Sequence, residues 1–167
     1  MPELAVIAPL RPMAVGDQFE QGAGTVPLHV TALPKFRVSQ GGWSAVVSTI
    51  IEVAAETRPI TATAAAYAHF GRAGDVRVTT VELSAELRRL HLQLLGGVRS
   101  AGAAPFEPSY NGDGYHPHIT HTREGQAVHA GLQVELRQLA ILDCTGPTRR
   151  ILATAPLTES TEQPTVA

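Results

Sequence analysis

Two tripeptides of one pattern, His29-Val30-Thr31 and His118-Ile119-Thr120, stand 89 positions apart (118 minus 29). In an extended strand, residues i and i+2 share a face. Each tripeptide therefore presents an imidazole and a hydroxyl on one side and a β-branched apolar residue on the other. The second lies in the run Tyr115 to Thr122, Tyr-His-Pro-His-Ile-Thr-His-Thr. The groups can act together only if two strands remote in the chain meet. Two such units facing one another would surround a small anion with two proton-transfer groups and two hydroxyl donors.

The intervening sequence predicts what must hold those strands. Leu4 to Leu10 is a short apolar run and reads as a buried strand. Gly16 to Gly24 reads as loop. Val26 to Leu33 forms the first His-x-Thr strand, closed by Pro34. Gly41-Gly42 opens a helical pattern with Val46, Val47, Ile50, Ile51 and Ala54 on one face, and Arg58-Pro59 ends it. Ile60 to Phe70 and Val76 to Leu83 read as a hairpin around Gly71 to Gly74. Ser84 is the N-cap of a second helix with Glu86 in its first turn. Its apolar stripe is Leu83, Leu87, Leu90, Leu94 and Val98, and Gly96-Gly97 weakens its end. Residues 101 to 114 form a long loop that delivers the chain to the His-rich strand. Leu132 to Asp143 reads as one long strand, and Gly146-Pro147 turns into a last one at Arg149 to Ala155. The polar segment from Thr158 to Ala167 is expected to be a disordered tail. One strand system and one helix per half suggests internal duplication.

The totals exclude some classes. The chain has 167 residues, of which 44% are hydrophobic and 17% charged, so one domain of ordinary globular composition is expected. The net charge of -2 argues against a protein that tracks a long nucleic-acid backbone, which usually needs a basic excess. It favours a small ligand or one short end of a nucleic acid. Cys144 is the only cysteine, so no intrachain disulfide forms, which fits a reducing cytoplasm. The start lacks a basic region followed by an apolar run, and no apolar stretch approaches the roughly 20 residues of a membrane span.

At the two tripeptides the chain resembles the 2H phosphoesterase superfamily, which includes the bacterial 2′-5′ RNA ligase-like cyclic phosphodiesterases. That family is named for two His-hydrophobic-Thr/Ser-hydrophobic motifs. Its first often runs on to Pro and Phe, as in His29-Val30-Thr31-Ala32-Leu33-Pro34-Lys35-Phe36. Its second often reads aromatic-x-Pro-His-hydrophobic-Thr, as in Tyr115-His116-Pro117-His118-Ile119-Thr120. The likeness covers roughly residues 26 to 155. Ala32 is small and His121 polar where the motifs usually continue apolar, and the glycine-rich start is short for the helix many members carry there. The expected architecture is α+β: one pseudo-twofold, two-lobed domain over residues 1 to 157. Antiparallel sheets line its central cleft, with helices on the outer faces.

The resemblance implies a 2′,3′-cyclic phosphate, a 2′-5′ linkage or a related nucleotide phosphodiester as substrate. Histidine ionises near pH 6.5, so a neutral and a protonated imidazole can coexist near neutrality. One can take a proton from the attacking hydroxyl while the other protonates the leaving oxygen, and no metal or cofactor is required. His29 and His118 are the candidate acid and base, in an order left open. Thr31 and Thr120 are the candidate phosphate ligands. Tyr115, Phe36 and Tyr67 are candidates for stacking on a base. Lys35 and Arg37 read as a solvated surface pair, Trp43 and Phe70 as packing residues, and His69, His91 and His129 as fold or surface. Three other readings stand beside this one. His116, His118 and His121 would form a metal site. A bacteriophage-type enzyme would degrade cyclic oligonucleotide immune signals. A non-catalytic module would bind nucleotides or RNA ends. Ligation by reversal ranks low, since no nucleotide-activation motif is present.

Overall fold

The computed structural model of the chain describes residues 1–105 and 107–158. Its strands are β1 (Glu3–Pro9), β2 (Gln18–Glu20), β3 (His29–Arg37), β4 (Ile60–Phe70), β5 (Val76–Val81), β6 (Ala104–Pro105), β7 (His118–Thr120), β8 (Gln133–Leu136), β9 (Gln138–Asp143) and β10 (Thr148–Pro156). The α-helices are α1 (Trp43–Ala55) and α2 (Ala85–Ser100). The strands run in the order β2-β10-β9-β1-β3-β7-β5-β4-β8, with β6 paired to β3. Every pairing is antiparallel.

The order is symmetric about the β3/β7 junction, as the echoed motifs require. One lobe reads outward as β3-β1-β9-β10 and the other as β7-β5-β4-β8. The lobes join where Val30 pairs with Ile119, the central residues of the two tripeptides. This is the expected α+β architecture, drawn as one curled sheet with its helices on the side away from the cleft.

β1 shows why its sequence is continuously apolar. Leu4, Val6 and Ala8 face the helix layer, while Ala5 and Ile7 face a smaller apolar cluster with Met13, Val26, Leu142 and Ile151. A strand covered on both faces has no place for polar alternation. The helix layer packs Val46, Ile50 and Ala54 of α1 and Leu87, Leu90, Leu94 and Val98 of α2 into the main core. Ser84 caps α2, its hydroxyl accepting from the Leu87 N–H at 3.2 Å.

Several boundaries differ from the sequence reading, for physical reasons. α2 does not weaken at Gly96-Gly97 but continues to Ser100. A Cβ at Gly97 would stand 2.5 Å from the Thr49 methyl, so glycine there lets α1 approach. Leu83 precedes the helix and is exposed, as is Ile51 on α1. β3 passes through Pro34 rather than stopping at it. Val6 pairs with Leu33 and Leu4 with Phe36, so β3 carries one extra residue there, in a bulge that tolerates a proline. The loop reading of residues 16 to 24 misses β2, a three-residue edge strand that pairs with β10 and sets Phe19 against the smaller apolar cluster. The single strand expected from Leu132 to Asp143 serves both lobes. Its first part pairs with β4 and its second with β1 and β10, and Arg137 is the crossing residue. In the expected tail, Thr158 is bound, its N–H donating to the Ala54 carbonyl at 3.4 Å. Residues 159–167 lie outside the described residues. No described helix is long and apolar enough to cross a membrane.

Candidate active site

The Val30–Ile119 pairing sets the geometry of the cleft. In an antiparallel ladder it places His29 across from Thr120 and Thr31 across from His118. Val30 and Ile119 are fully buried in the core, which turns the four polar side chains to the opposite face. All four line one cleft of about 730 Å³. The two histidines occupy one diagonal of the square and the two threonines the other. Diagonal neighbours in such a ladder lie about 7–8 Å apart at the backbone, which leaves room for a tetrahedral anion between the rings.

The two imidazoles are held in the same way. His29 Nδ1–H donates to the Pro27 carbonyl at 2.7 Å, and His118 Nδ1–H donates to the His116 carbonyl at 2.8 Å. A carbonyl can only accept, so Nδ1 carries the hydrogen in both rings. Each Nε2 then holds the lone pair of the neutral form. Among the described residues neither Nε2 nor either threonine hydroxyl has a hydrogen-bond partner. Burial pushes both imidazoles below the ordinary histidine value of 6.5, against the opposing pull of the carbonyl bonds. The neighbouring His118 charge adds to the depression at His29, and His116 adds to it at His118. Each ring thus gains a proton less readily than in water, and protonating one discourages the second.

The candidate stacking residues occupy three different environments. Phe36 is fully buried in the helix-side core and does not line the cleft. Tyr67 is exposed, but in a shallow depression with Arg77 and His121 away from the tripeptides, and its hydroxyl pairs with His129 Nδ1 at 2.9 Å. Tyr115 lines the cleft, yet its ring lies flat on the His91 imidazole, at 3.9 Å and 4°. Its hydroxyl donates to the Thr31 carbonyl at 2.7 Å. These three fail as free base platforms because one is core, one is elsewhere and one is already stacked.

Other residues, missed in the sequence, carry weight here. Phe70 stands in the cleft with its ring edge-on to His118, at 4.7 Å and 68°. Its position beside the Gly71 turn, at the end of the hairpin that pairs with β7, was the available signal. His91 on α2 is fully buried. Its Nδ1–H donates to the Ala32 carbonyl at 2.9 Å, and its Nε2 accepts the Gly112 N–H at 2.9 Å. His91 and Tyr115 together clamp the Thr31–Ala32 backbone to the loop that leads into β7. Nothing in the sequence distance between 32, 91 and 112 announces that clamp.

His121 leaves the group of three histidines weighed as metal ligands. Thr79 spends its hydroxyl hydrogen on the Val128 carbonyl, so His121 Nε2–H donates to Thr79 at 2.9 Å on the other side of β7. Among the described residues no three His, Cys, Asp or Glu side chains converge as a metal-binding group. One wall of the cleft is the glycine-rich loop. Gly24 adopts φ +76°, and a Cβ there would come within 2.8 Å of the His121 carbonyl, so glycine lets the first lobe's loop touch the second lobe.

The family model described as the 2′-5′ RNA ligase superfamily matches residues 2–139, and the chain belongs to that superfamily, the 2H phosphoesterases. The family thereby supports a phosphoesterase function. The match begins at the first strand, well before the point from which the likeness was legible by motif. No curated protein matches the chain significantly. Among solved structures, a phosphoesterase is 17% identical with a TM-score of 0.61, covering 95% of this chain and 99% of that one. Escherichia coli LigT complexed with 3′-AMP is 16% identical with a TM-score of 0.59, covering 95% and 99%. A Thermus thermophilus protein is 19% identical with a TM-score of 0.61, covering 93% and 97%. At these identities the likeness is one of fold.

Proposed function

We propose that the chain is a phosphodiesterase acting on 2′,3′-cyclic phosphate ends or 2′-5′-linked nucleotides through His29 and His118. One observation carries the reading: two half-buried imidazoles, each tethered through Nδ1, present unpartnered Nε2 atoms across the diagonal of one cleft. A phosphate seated between them meets a proton acceptor on one side and, once the other ring is charged, a proton donor on the other. The neutral ring takes the proton of the attacking water as its oxygen bonds to phosphorus. The charged ring delivers its proton to the leaving ribose oxygen as that bond breaks. Each transfer contributes about 10²- to 10⁴-fold. Thr31 and Thr120, with free hydroxyls, donate to the non-bridging oxygens where charge grows. Every step uses protein groups alone. LigT has been crystallised with 3′-AMP, which supports a nucleotide as the ligand class.

The test is a product screen with 2′,3′-cyclic mononucleotides, cyclic-phosphate-ended RNA, 2′-5′ oligomers and cyclic oligonucleotides, with and without EDTA. Turnover of one class in EDTA is the expected result. Tight binding of a cyclic nucleotide without any product would mean a binding module, and activity lost to EDTA and restored by zinc would mean a metal enzyme.

The pH profile has a predictable sign. In the free enzyme kcat/KM needs one ring neutral and one protonated, so it traces a bell. Both imidazoles are pushed below 6.5, so the bell is centred on the acid side of that value. A maximum above pH 8 would exclude the histidine pair.

A further inference from the structure

The reacting square fills only one end of the cleft. At the other end stand Lys35, on the bulge of β3, and Arg149, on β10. What sets them apart is that they are the only Lys or Arg among the described residues lining this cleft. Arg37, Arg88, Arg123 and Arg137 are each paired with a carboxylate. Among the described residues neither Lys35 nor Arg149 is. Arg149 is half-buried and anchored, its Nη1 donating to the Cys144 carbonyl at 2.7 Å, and among the described residues its remaining N–H groups have no partner. Burial raises the pKa of the Cys144 thiol on the cleft floor; the Arg149 and Lys35 charges oppose that rise, and the Asp143 and Glu3 carboxylates add to it.

The floor between the two ends is apolar, made by Ala5, Ile7, Leu142 and Cys144. Glu107 is the only acid among the described lining residues, against two cations. β3 carries an extra residue twice between Thr31 and Phe36, and the two shifts cancel, so Lys35, four positions beyond Thr31, returns to the face that lines the cleft. Lys35 lies four positions beyond Thr31, about 13 Å along the strand, and β10 lies three strands from β3, about 14 Å across the sheet. Long side chains shorten both gaps, so the cations sit beyond the reach of a single cyclic phosphate but within that of the next phosphate along a chain.

We propose that Lys35 and Arg149 form a second phosphate subsite that selects ligands carrying a further phosphate beyond the reacting one, namely a short oligonucleotide end rather than a mononucleoside cyclic phosphate. This rests on the phosphodiesterase reading of the same cleft. The apolar floor accommodates the intervening nucleoside, and the two cations hold its phosphate.

The experiment compares kcat/KM for a nucleoside 2′,3′-cyclic phosphate with that for a 5′-phosphorylated dinucleotide ending in the same group. The protein should favour the second by about tenfold or more, and Lys35→Gln should reduce that selectivity ratio by about tenfold, the worth of one charge-assisted contact. Lys35→Arg should restore it. Equal loss on both substrates, or an unchanged ratio, overturns the subsite. Calorimetric binding of a 5′-phosphorylated dinucleotide with a non-cyclic 3′-phosphate separates the two claims. If the protein turns over no substrate, the phosphodiesterase reading fails, yet about tenfold weaker binding by Lys35→Gln still supports the subsite and unchanged binding still refutes it.

Discussion

His29→Ala and His118→Ala each lower kcat by about 10²- to 10⁴-fold, and the double variant falls little further than the worse single one. The two rings act on one phosphorus, so losing either half of the proton exchange stops the same step. Stability should barely move. Each ring spends one hydrogen bond on the carbonyl of an exposed residue, Pro27 or His116, where water can take its place. The cost should stay near 1 kcal/mol. Stopped assays and thermal melts on the same preparations decide the matter. A single variant that keeps more than about a tenth of wild-type turnover would remove that histidine from the proposed chemistry.

The second large effect concerns a histidine outside the reaction. His91→Leu should destabilise the fold by about 2–4 kcal/mol, because it strands the buried Ala32 carbonyl, at about 1–3 kcal/mol, and the part-buried Gly112 N–H, at about 1 kcal/mol. The imidazole also makes stability depend on pH, with a definite sign. Its Nε2 must accept from Gly112, so the folded protein needs the neutral ring. Burial lowers its pKa below 6.5, with the Arg88 charge in the same direction and the Ala32 bond opposing. The unfolded chain therefore binds the proton first. The contribution is complete above the unfolded value near 6.5 and is lost as pH falls from there through the folded value. Denaturant titrations at pH 7.5 and 5.5 should show a smaller acid loss for His91→Leu than for wild type. An identical loss in both would show that the clamp does not need a neutral His91. Because the clamp positions Thr31 and the approach to His118, the variant should also lose activity in proportion to its local disorder.

Legibility varied by the range of the interactions involved. Each element that depends on its own periodicity was readable: the α1 and α2 stripes, the Ser84 cap, the hairpin from Ile60 to Val81. The candidate pair was readable too, because an i, i+2 pattern in a strand commits an imidazole and a hydroxyl to one face wherever that strand lies. The mistakes share a cause. β2 is three residues with one apolar side chain, Phe19, too short to show a period, and its strand character comes from its partner, β10. The run through Arg137 is extended throughout, but which lobe each half joins depends on strands tens of residues away.

Local sequence thus determined the kinds of element, the identity of the paired tripeptides and the face each would present, since those follow from backbone geometry and side-chain chemistry within a few residues. Only the tertiary structure decided that Val30 and Ile119 are neighbours, and with them the diagonal that sets two lone pairs around one space. The same packing assigned the aromatic rings and the spare cations. It buried Phe36, stacked Tyr115 on His91, set Phe70 beside His118 and brought Lys35 and Arg149 to one cleft. Such outcomes rest on contacts between segments far apart in the chain, where many partners of like character compete and only the complete core selects among them.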